Sequence, residues 1–384
     1  MRKNSDDHFR FKRNMTGVRC NIERNSDQQM SNEELKRRQC TWVVQNDFVE
    51  RIPVDKQILF SWCNINLYKD DSNPGSSSTD REKILPQEKQ ILANVSGNAN
   101  PGELLVIMGP SGAGKTTLLN CMTFRNLKNF RVSGLICINN LPVRQIQLAS
   151  QSAYVQQDDI FIEYLTVREH LIFQSLVKME SHFSYDERLD RVERVMKELS
   201  LKKCEHCSIG LPGIKKSISG GERKRLALAS EFLTNPSLLF CDEPTTGLDS
   251  FMALNVVQML KGLAESGRTV IATLHQPSSE LFQLFDKICL IADGRTAFLG
   301  TTTEASSFFS ELHLPCSKNF NPADHYIQLL SIIPEKEKEC ERIVNGVCYA
   351  FAKSVLGMKI SKAAQEVEVT IKLSALLKIN KTEY

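Results

Sequence analysis

Glu103-Leu104-Leu105-Val106-Ile107-Met108-Gly109-Pro110-Ser111-Gly112-Ala113-Gly114-Lys115-Thr116 is the stretch that decides the fold. Its first half is a short apolar run of the kind that forms a parallel strand buried on both faces. Its second half fits G-x-x-x-x-G-K-[ST] and leads into a helix starting near Lys115, so the glycines occupy a strand-to-helix turn. Glycines let the backbone fold around an anion, with successive N–H groups and the helix N-terminus pointing at phosphate oxygens. Lys115 adds a point charge for the β- and γ-phosphates, and the Thr116 hydroxyl suits Mg²⁺. The expectation is an α/β fold that binds a nucleotide through Gly109, Pro110, Ser111, Gly112, Ala113, Gly114, Lys115 and Thr116, with Thr117 counted beside them.

Downstream, Leu238-Leu-Phe-Cys-Asp242-Glu243-Pro244 is an apolar strand ending in two carboxylates. Asp242 at the strand tip can hold Mg²⁺ through water, and Glu243, one residue on, can polarise a water in line with the γ-phosphate. An acidic strand end can also simply cap the next helix; downstream of a phosphate loop the metal and water reading is preferred. Ser219-Gly220-Gly221-Glu222 opens another helical stretch, with apolar residues at Leu226, Ala229 and Leu233. It reads either as a plain helix cap or as a second phosphate-binding surface. A single nucleotide needs only the first surface, so the second reading implies a head-to-tail dimer in which each copy closes over its partner's nucleotide.

The rest of the chain frames these motifs. Strand-like runs lie at 59–68, 237–241, 269–274 and 287–299, the last with an Asp293-Gly294 hairpin turn; Gly134 to Pro142 turns at Asn139-Asn140. Tyr164 to Leu201 has apolar residues at helical spacing, and another helical stretch follows Gly300. Residues 70–80 contain Asn-Pro-Gly and three serines and read as a loop. Residues 1–58 read as a polar, disordered tail, 59–334 as one domain with a helical portion at about 160–235, and 335–384 as a charged, low-information segment.

Of the 384 residues, 41% are hydrophobic and 24% charged, an ordinary globular balance that excludes wholesale disorder and fibrous repeats. Charge-free runs reach 13 residues, as in Gln145 to Gln157, short of the about 18–20 apolar residues of a membrane span. The net charge of +3 gives no reason to expect a nucleic-acid partner, and the first 40 residues alone carry +4. Cys204 and Cys207 form C-x-x-C around His206, but no second ligand pair lies nearby, so reduced thiols are expected rather than a metal or redox centre.

Taken in order, Gly109–Thr116, Gln157 in Tyr-Val-Gln-Gln-Asp-Asp, Ser219–Glu222, Asp242-Glu243, Gly247-Leu248-Asp249 and His275 in Thr-Leu-His-Gln-Pro resemble the motifs of the ATP-binding cassette family. The runs Ser-Gly-Gly-Glu-Arg-Lys-Arg, Asp-Glu-Pro-Thr-Thr-Gly-Leu-Asp-Ser, His-Gln-Pro-Ser-Ser-Glu-Leu-Phe and Asn321-Pro-Ala-Asp324 look like its G subfamily of half-transporters, and of its White-like branch in particular. The resemblance implies a P-loop NTPase fold with a RecA-like core, an antiparallel β subdomain and a helical signature subdomain. It implies ATP and Mg²⁺ as ligands, with Glu243, His275 and Gln157 at the reaction and Thr116, Gln157 and Asp242 about the metal. His275, alone a residue of core or loop, would contact the γ-phosphate; Asp249 would line a dimer seam beside Ser219, Gly220, Gly221 and Glu222; the Gln157 loop would touch a transport domain.

The implied function is ATP hydrolysis on the cytosolic face of a plasma or vesicle membrane, powering transport of small molecules such as pigment precursors, with a second half-transporter as partner. Because no span is visible before Tyr384, the chain is expected to be the nucleotide-binding domain only, its membrane domain supplied by another chain or missing from this product. The alternatives are a soluble ATPase of the same fold and an inhibitory partner of intact half-transporters. The first is disfavoured by a single cassette and by the 127 positions from Lys115 to Asp242, which hold no sustained heptads. An aromatic residue ahead of the glycine loop often stacks on adenine in the family; Phe60, Trp62 and Tyr68 are the candidates.

Overall fold

The structure, a computed structural model, describes residues 50–69, 89–158, 160–210 and 217–379, with side chains to 370. The expectations for residues 1–49 and for the loop at 70–80 lie outside the described residues.

The predicted strand at the glycine loop forms as β3 (Leu104–Met108), every residue of which is buried. It is central because nothing along it needs water. Two further all-buried strands, β7 (Leu238–Asp242) and β8 (Thr269–Thr273), join it with β6 (Ser152–Val155) and the hairpin of β9 (Lys287–Ala292) and β10 (Arg295–Gly300). The sheet order is β10-β9-β3-β8-β7-β6, parallel throughout except for β10 against β9. Asp293 and Gly294 turn that hairpin with φ of 47° and 67°, as their sequence leads one to expect.

A second, antiparallel sheet runs β2-β1-β4-β5, from β1 (Phe60–Lys69), β2 (Lys89–Ala99), β4 (Phe130–Ile138) and β5 (Leu141–Pro142). Asn139 and Asn140 form its two-residue turn, both at positive φ. Phe60 and Trp62 of β1 are fully buried, and Phe60 meets Phe240 of β7 edge-on at 5.3 Å.

Helices α1 (Lys115–Thr123) and α2 (Gln145–Ala149) lie between these strands in the chain. The helical portion is α3 (Val167–Lys178), α4 (Tyr185–Glu198) and α5 (Gly220–Phe232). Thr166, Ser184 and Ser219 each start one of these helices in a capping box with the glutamate three residues on. Each such cap contributes about 1 kcal/mol by satisfying N–H groups the helix leaves unpaired. Val167, Leu171, Val192, Val195, Met196 and Leu199 are buried on the inner faces. Beyond β7 come α6 (Ser250–Glu265), α7 (Ser279–Phe282), α8 (Thr302–Glu311) and α9 (Pro322–Leu329).

Both ends of the chain depart from the reading above. Residues 50–58, assigned to the polar tail, include the buried Ile52 and Ile58; the Ile52 N–H donates to Ser266 O at 2.9 Å and Arg268 donates to the Glu50 carbonyl at 2.9 Å. Past residue 335 the chain forms α10 (Glu337–Lys353) and α11 (Val355–Ile379). Cys340, Val344, Val347, Cys348 and Phe351 make one apolar face of α10, and Phe351 packs 5.6 Å from Phe298 of β10. The high charge of this segment masked that stripe, because its charges occupy the opposite face. Gly357 permits the sharp junction of the two helices, since a Cβ there would lie 2.0 Å from Phe351 O.

Candidate nucleotide site

The parallel strands β3, β6, β7 and β8 end along one edge of the core sheet, and the glycine loop, Gln157, Asp242, Glu243 and His275 sit at or just past those ends, where ligands of open α/β sheets bind. The glycine loop leaves β3 pressed against its neighbour: a Cβ on Gly109 would lie 2.1 Å from Ile291 O of β9. Gly114 is the N-cap of α1 at φ 101° and supplies no side-chain cap, which leaves the first N–H groups of α1 for an anion. Lys115 Nζ is buried and folded back on the loop, donating to Gly109 O at 3.0 Å and Pro110 O at 2.9 Å. Burial lowers its pKa, opposed by the charges of Glu243 and Asp242.

Asp242 is buried at the tip of β7 and held from three sides. Thr116 Oγ1 and Thr273 Oγ1 donate to its Oδ1 at 3.2 and 2.7 Å, and Tyr154 Oη donates to its Oδ2 at 3.2 Å. Burial, reinforced by the Asp242 carboxylate, pushes the Tyr154 phenol upward, so it stays a donor. Glu243 has φ 44°, a left-handed conformation unusual for glutamate, and its N–H donates to Thr273 Oγ1 at 2.8 Å. Its Oε2 accepts from Gln157 Nε2 at 3.1 Å and from Thr246 Oγ1 at 2.9 Å. Thus the structure brings Lys115, Thr116, Asp242, Glu243 and Gln157 together. The hydroxyl, carboxylate and amide oxygens of Thr116, Asp242 and Gln157 are all hard donors, a set that fits Mg²⁺. A cavity of about 1010 Å³ opens beside them, lined among others by Thr116, Tyr154, Gln157 and Asp242.

Ser219, Gly220, Gly221 and Glu222 stand apart from that group, at the start of α5. Glu222 Oε2 accepts from Ser219 N–H and Oγ, both at 2.8 Å. Burial pulls the Glu222 pKa up, but the Ser219 N–H and hydroxyl outweigh it and hold the carboxyl below its usual range. Gly220 and Gly221 let this turn sit against Leu248 and Met252: Cβ atoms there would lie 3.3 Å from Leu248 Cδ2 and 2.7 Å from Met252 Sδ. Asp249, exposed, caps α6 by accepting the Met252 N–H at 2.8 Å. His275 is exposed, two residues beyond the end of β8. One link spans the groups: Lys224 Nζ of α5 donates to the Gln157 carbonyl at 2.6 Å.

Sequence reasoning missed Tyr154, Thr273, Thr246 and Lys224. No local signal marks Thr273, which meets Asp242 only through the pairing of β7 with β8. Among the aromatic candidates for adenine stacking, Phe60 and Trp62 are fully buried core residues and cannot stack on a ligand; Tyr68 has its ring under the Arg131 guanidinium at 4.7 Å. Cys204 is buried and Cys207 exposed, and among the described residues no cluster of His, Cys, Asp or Glu could hold a metal.

Comparison with known proteins agrees with this geometry. The family model described as ABC transporter matches residues 92–246. Protein white of Drosophila melanogaster is 50% identical over 326 residues, which cover 82% of this chain and 46% of that protein. The ABC transporter ATP-binding protein/permease wht-1 of Caenorhabditis elegans is 43% identical over 78% of this chain and 45% of its own length. Protein scarlet of Drosophila melanogaster is 38% identical over 84% and 46% respectively. The chain thus spans about half the length of these relatives. Among solved structures, cbiO1 from Clostridium perfringens, part of the ABC transporter complex cbiONQ, superposes with a TM-score of 0.52 over 65% of this chain and 91% of its own at 22% identity, a likeness of fold.

A second family model, described as ABC-2 type transporter, matches residues 275–355. Those residues run from the tip of β8 through α10, so the expectation of a nucleotide-binding domain only lacks support from this match. No single described helix is long and apolar enough to cross a membrane, while α10 and the first part of α11, bent by 65°, pass on length and composition together. From its P-loop fold, the residues at its strand tips and these relatives, the chain carries an ATP-binding cassette domain of the ABC transporter type and is similar over most of its length to White-like members of the G subfamily.

Proposed function

We propose that this cassette hydrolyses ATP to power a White-like half-transporter, working against a second cassette on the cytosolic face of a membrane. The observation that carries the reading is the convergence on one strand edge of Lys115, of Asp242 tied to Thr116 and Thr273, and of Glu243 tied to Gln157. In this reading the loop N–H groups from Gly109 to Thr117 and Lys115 Nζ bind the nucleotide phosphates, with Lys115 exchanging its two carbonyl partners for phosphate oxygens. Thr116, Asp242 and Gln157 would hold Mg²⁺, which when bound offsets the negative charge of the phosphates.

Glu243 Oε2 accepts the proton of the attacking water, and Gln157 Nε2 and Thr246 Oγ1 orient that carboxylate. Exposed Ser219, Gly220 and Asp249 face outward, where a partner's nucleotide would lie, and His275 contacts the γ-phosphate within its own chain. The partner is a second half-transporter, and the cargo belongs to the small-molecule class that includes pigment precursors. The test is steady-state ATPase and nucleotide binding of the purified chain: Glu243→Gln should retain ATP, lose turnover and accumulate an ATP-dependent dimer. Undiminished turnover would sink the assignment.

A further inference from the structure

The far end of the signature helix is held by a buried ionic cluster that the reaction does not use. Arg191 of α4 is 4% exposed, and it donates from Nη2 to Phe232 O at 2.7 Å, which also accepts the Asn235 N–H at 3.0 Å, and from Nε to Leu233 O at 3.2 Å, two of the carbonyls where α5 ends. Arg268, fully buried just before β8, lies 4.5 Å over the Phe232 ring and donates to Asn235 Oδ1 at 2.7 Å. Glu50 joins the two arginines. Its carboxylate meets Arg191 Nη1 at 3.5 Å, its carbonyl accepts from Arg268 at 2.9 Å, and its N–H donates to the buried Glu198 of α4. A residue ahead of the first strand thereby connects the helical portion, the end of α5 and the core sheet.

We propose that Arg191, with Glu198 and Glu50 as its counter-ions, is a positioning residue for the turn at Ser219–Glu222: it grips the last carbonyls of α5 and so fixes the helix whose first residues, Ser219 to Gly221, would meet the partner's nucleotide. A guanidinium suits this task because its rigid fork serves two carbonyls at once. An unpaired buried guanidinium is costly, which explains why the Glu198 and Glu50 carboxylates sit beside it. Nothing in the cluster touches the glycine loop, so nucleotide binding by the chain itself is independent of it. The inference rests on the dimer reading above, and its test separates the two.

In a Glu243→Gln background the full chain is titrated with ATP, following nucleotide binding by fluorescence and dimer formation by light scattering. Adding Arg191→Met should leave nucleotide binding unchanged and raise the ATP concentration for half-maximal dimerisation about tenfold or more, the scale of a lost charge-assisted hydrogen-bond pair. Arg191→Lys, able to serve one carbonyl, should recover part of the loss. Glu50→Ala, whose side chain is 49% exposed, carries the test if Arg191→Met fails to fold, and should weaken dimerisation in the same direction. If the folded variants dimerise like the parent, the proposal is overturned. If the parent itself does not dimerise, the dimer reading fails instead, and amide hydrogen exchange at 219–222 decides the positioning role: faster exchange in the variants upholds it, unchanged exchange refutes it.

Discussion

Thr273 Oγ1 donates to Asp242 Oδ1 at 2.7 Å, and the same oxygen accepts the N–H of Glu243 at 2.8 Å. One hydroxyl at the tip of β8 therefore orients the Asp242 carboxylate and fixes the backbone that carries the Glu243 carboxylate. Glu243 is held at φ 44°, so its orientation depends on such a tie.

Thr273→Val keeps the volume and removes the hydroxyl. It should leave a buried carboxylate oxygen and an N–H short of a partner, costing about 1–3 kcal/mol. We expect ATP turnover to fall at least about tenfold with nucleotide affinity within a few-fold of wild type, read from steady-state ATPase and equilibrium binding. Equal turnover in the variant would show that Thr273 is dispensable for orientation.

Gly109→Ala should fail for steric reasons. Its Cβ would lie 2.1 Å from a backbone oxygen of β9, which no rotamer change relieves. The expected result is a lower Tm together with loss of ATP binding, whereas Gly112→Ala, with nothing within 4 Å of its Cβ, should lose mainly binding through its φ of 77°. A thermal melt of each variant with and without ATP distinguishes the two outcomes.

His170 gives the fold a pH dependence. It is 2% exposed, faces Ser230 Oγ at 3.1 Å, and burial together with Lys178 lowers its pKa to about 4. The folded state keeps the ring neutral while the unfolded chain protonates it near pH 6.5, so its contribution is complete above that pH and is lost as pH falls towards 4. At pH 5 the loss should be about 2 kcal/mol. Urea unfolding at pH 7 and pH 5 measures it, and His170→Gln should reduce the difference between the two; an unchanged difference would assign the acid sensitivity elsewhere.

Phe351→Ala removes the ring that α10 packs against the Phe298–Phe308 pair, at 5.6 and 6.0 Å. A buried Phe-to-Ala change costs about 3–5 kcal/mol, so the melting temperature should drop by several degrees. If α10 were only loosely docked, the shift would be negligible.

Those residues mark how far the sequence could be read. The glycine loop, the two carboxylates, the all-apolar strand β3 and the apolar run of β7 were legible because each carries its reason locally: a steric need, a charge or a continuous run. The ties from Thr273 and Tyr154 to Asp242 were not, because they depend on which strands become neighbours, and β6, β7 and β8 are far apart in the chain. Phe60 and Trp62 were misjudged for the same reason, since only the stacking of the two sheets shows that their rings are consumed by the core. In α10 the apolar stripe was present at helical spacing, but its surrounding charge hid it.

The 2.6 Å contact between Lys224 Nζ and the Gln157 carbonyl means that one ammonium is shared by the helix that begins at Ser219 and the residue that steadies Glu243. A single lysine stem thus bridges the two parts directly. The route from that helix to the Glu243 carboxylate is only two hydrogen bonds long, a short linkage laid outside the core sheet.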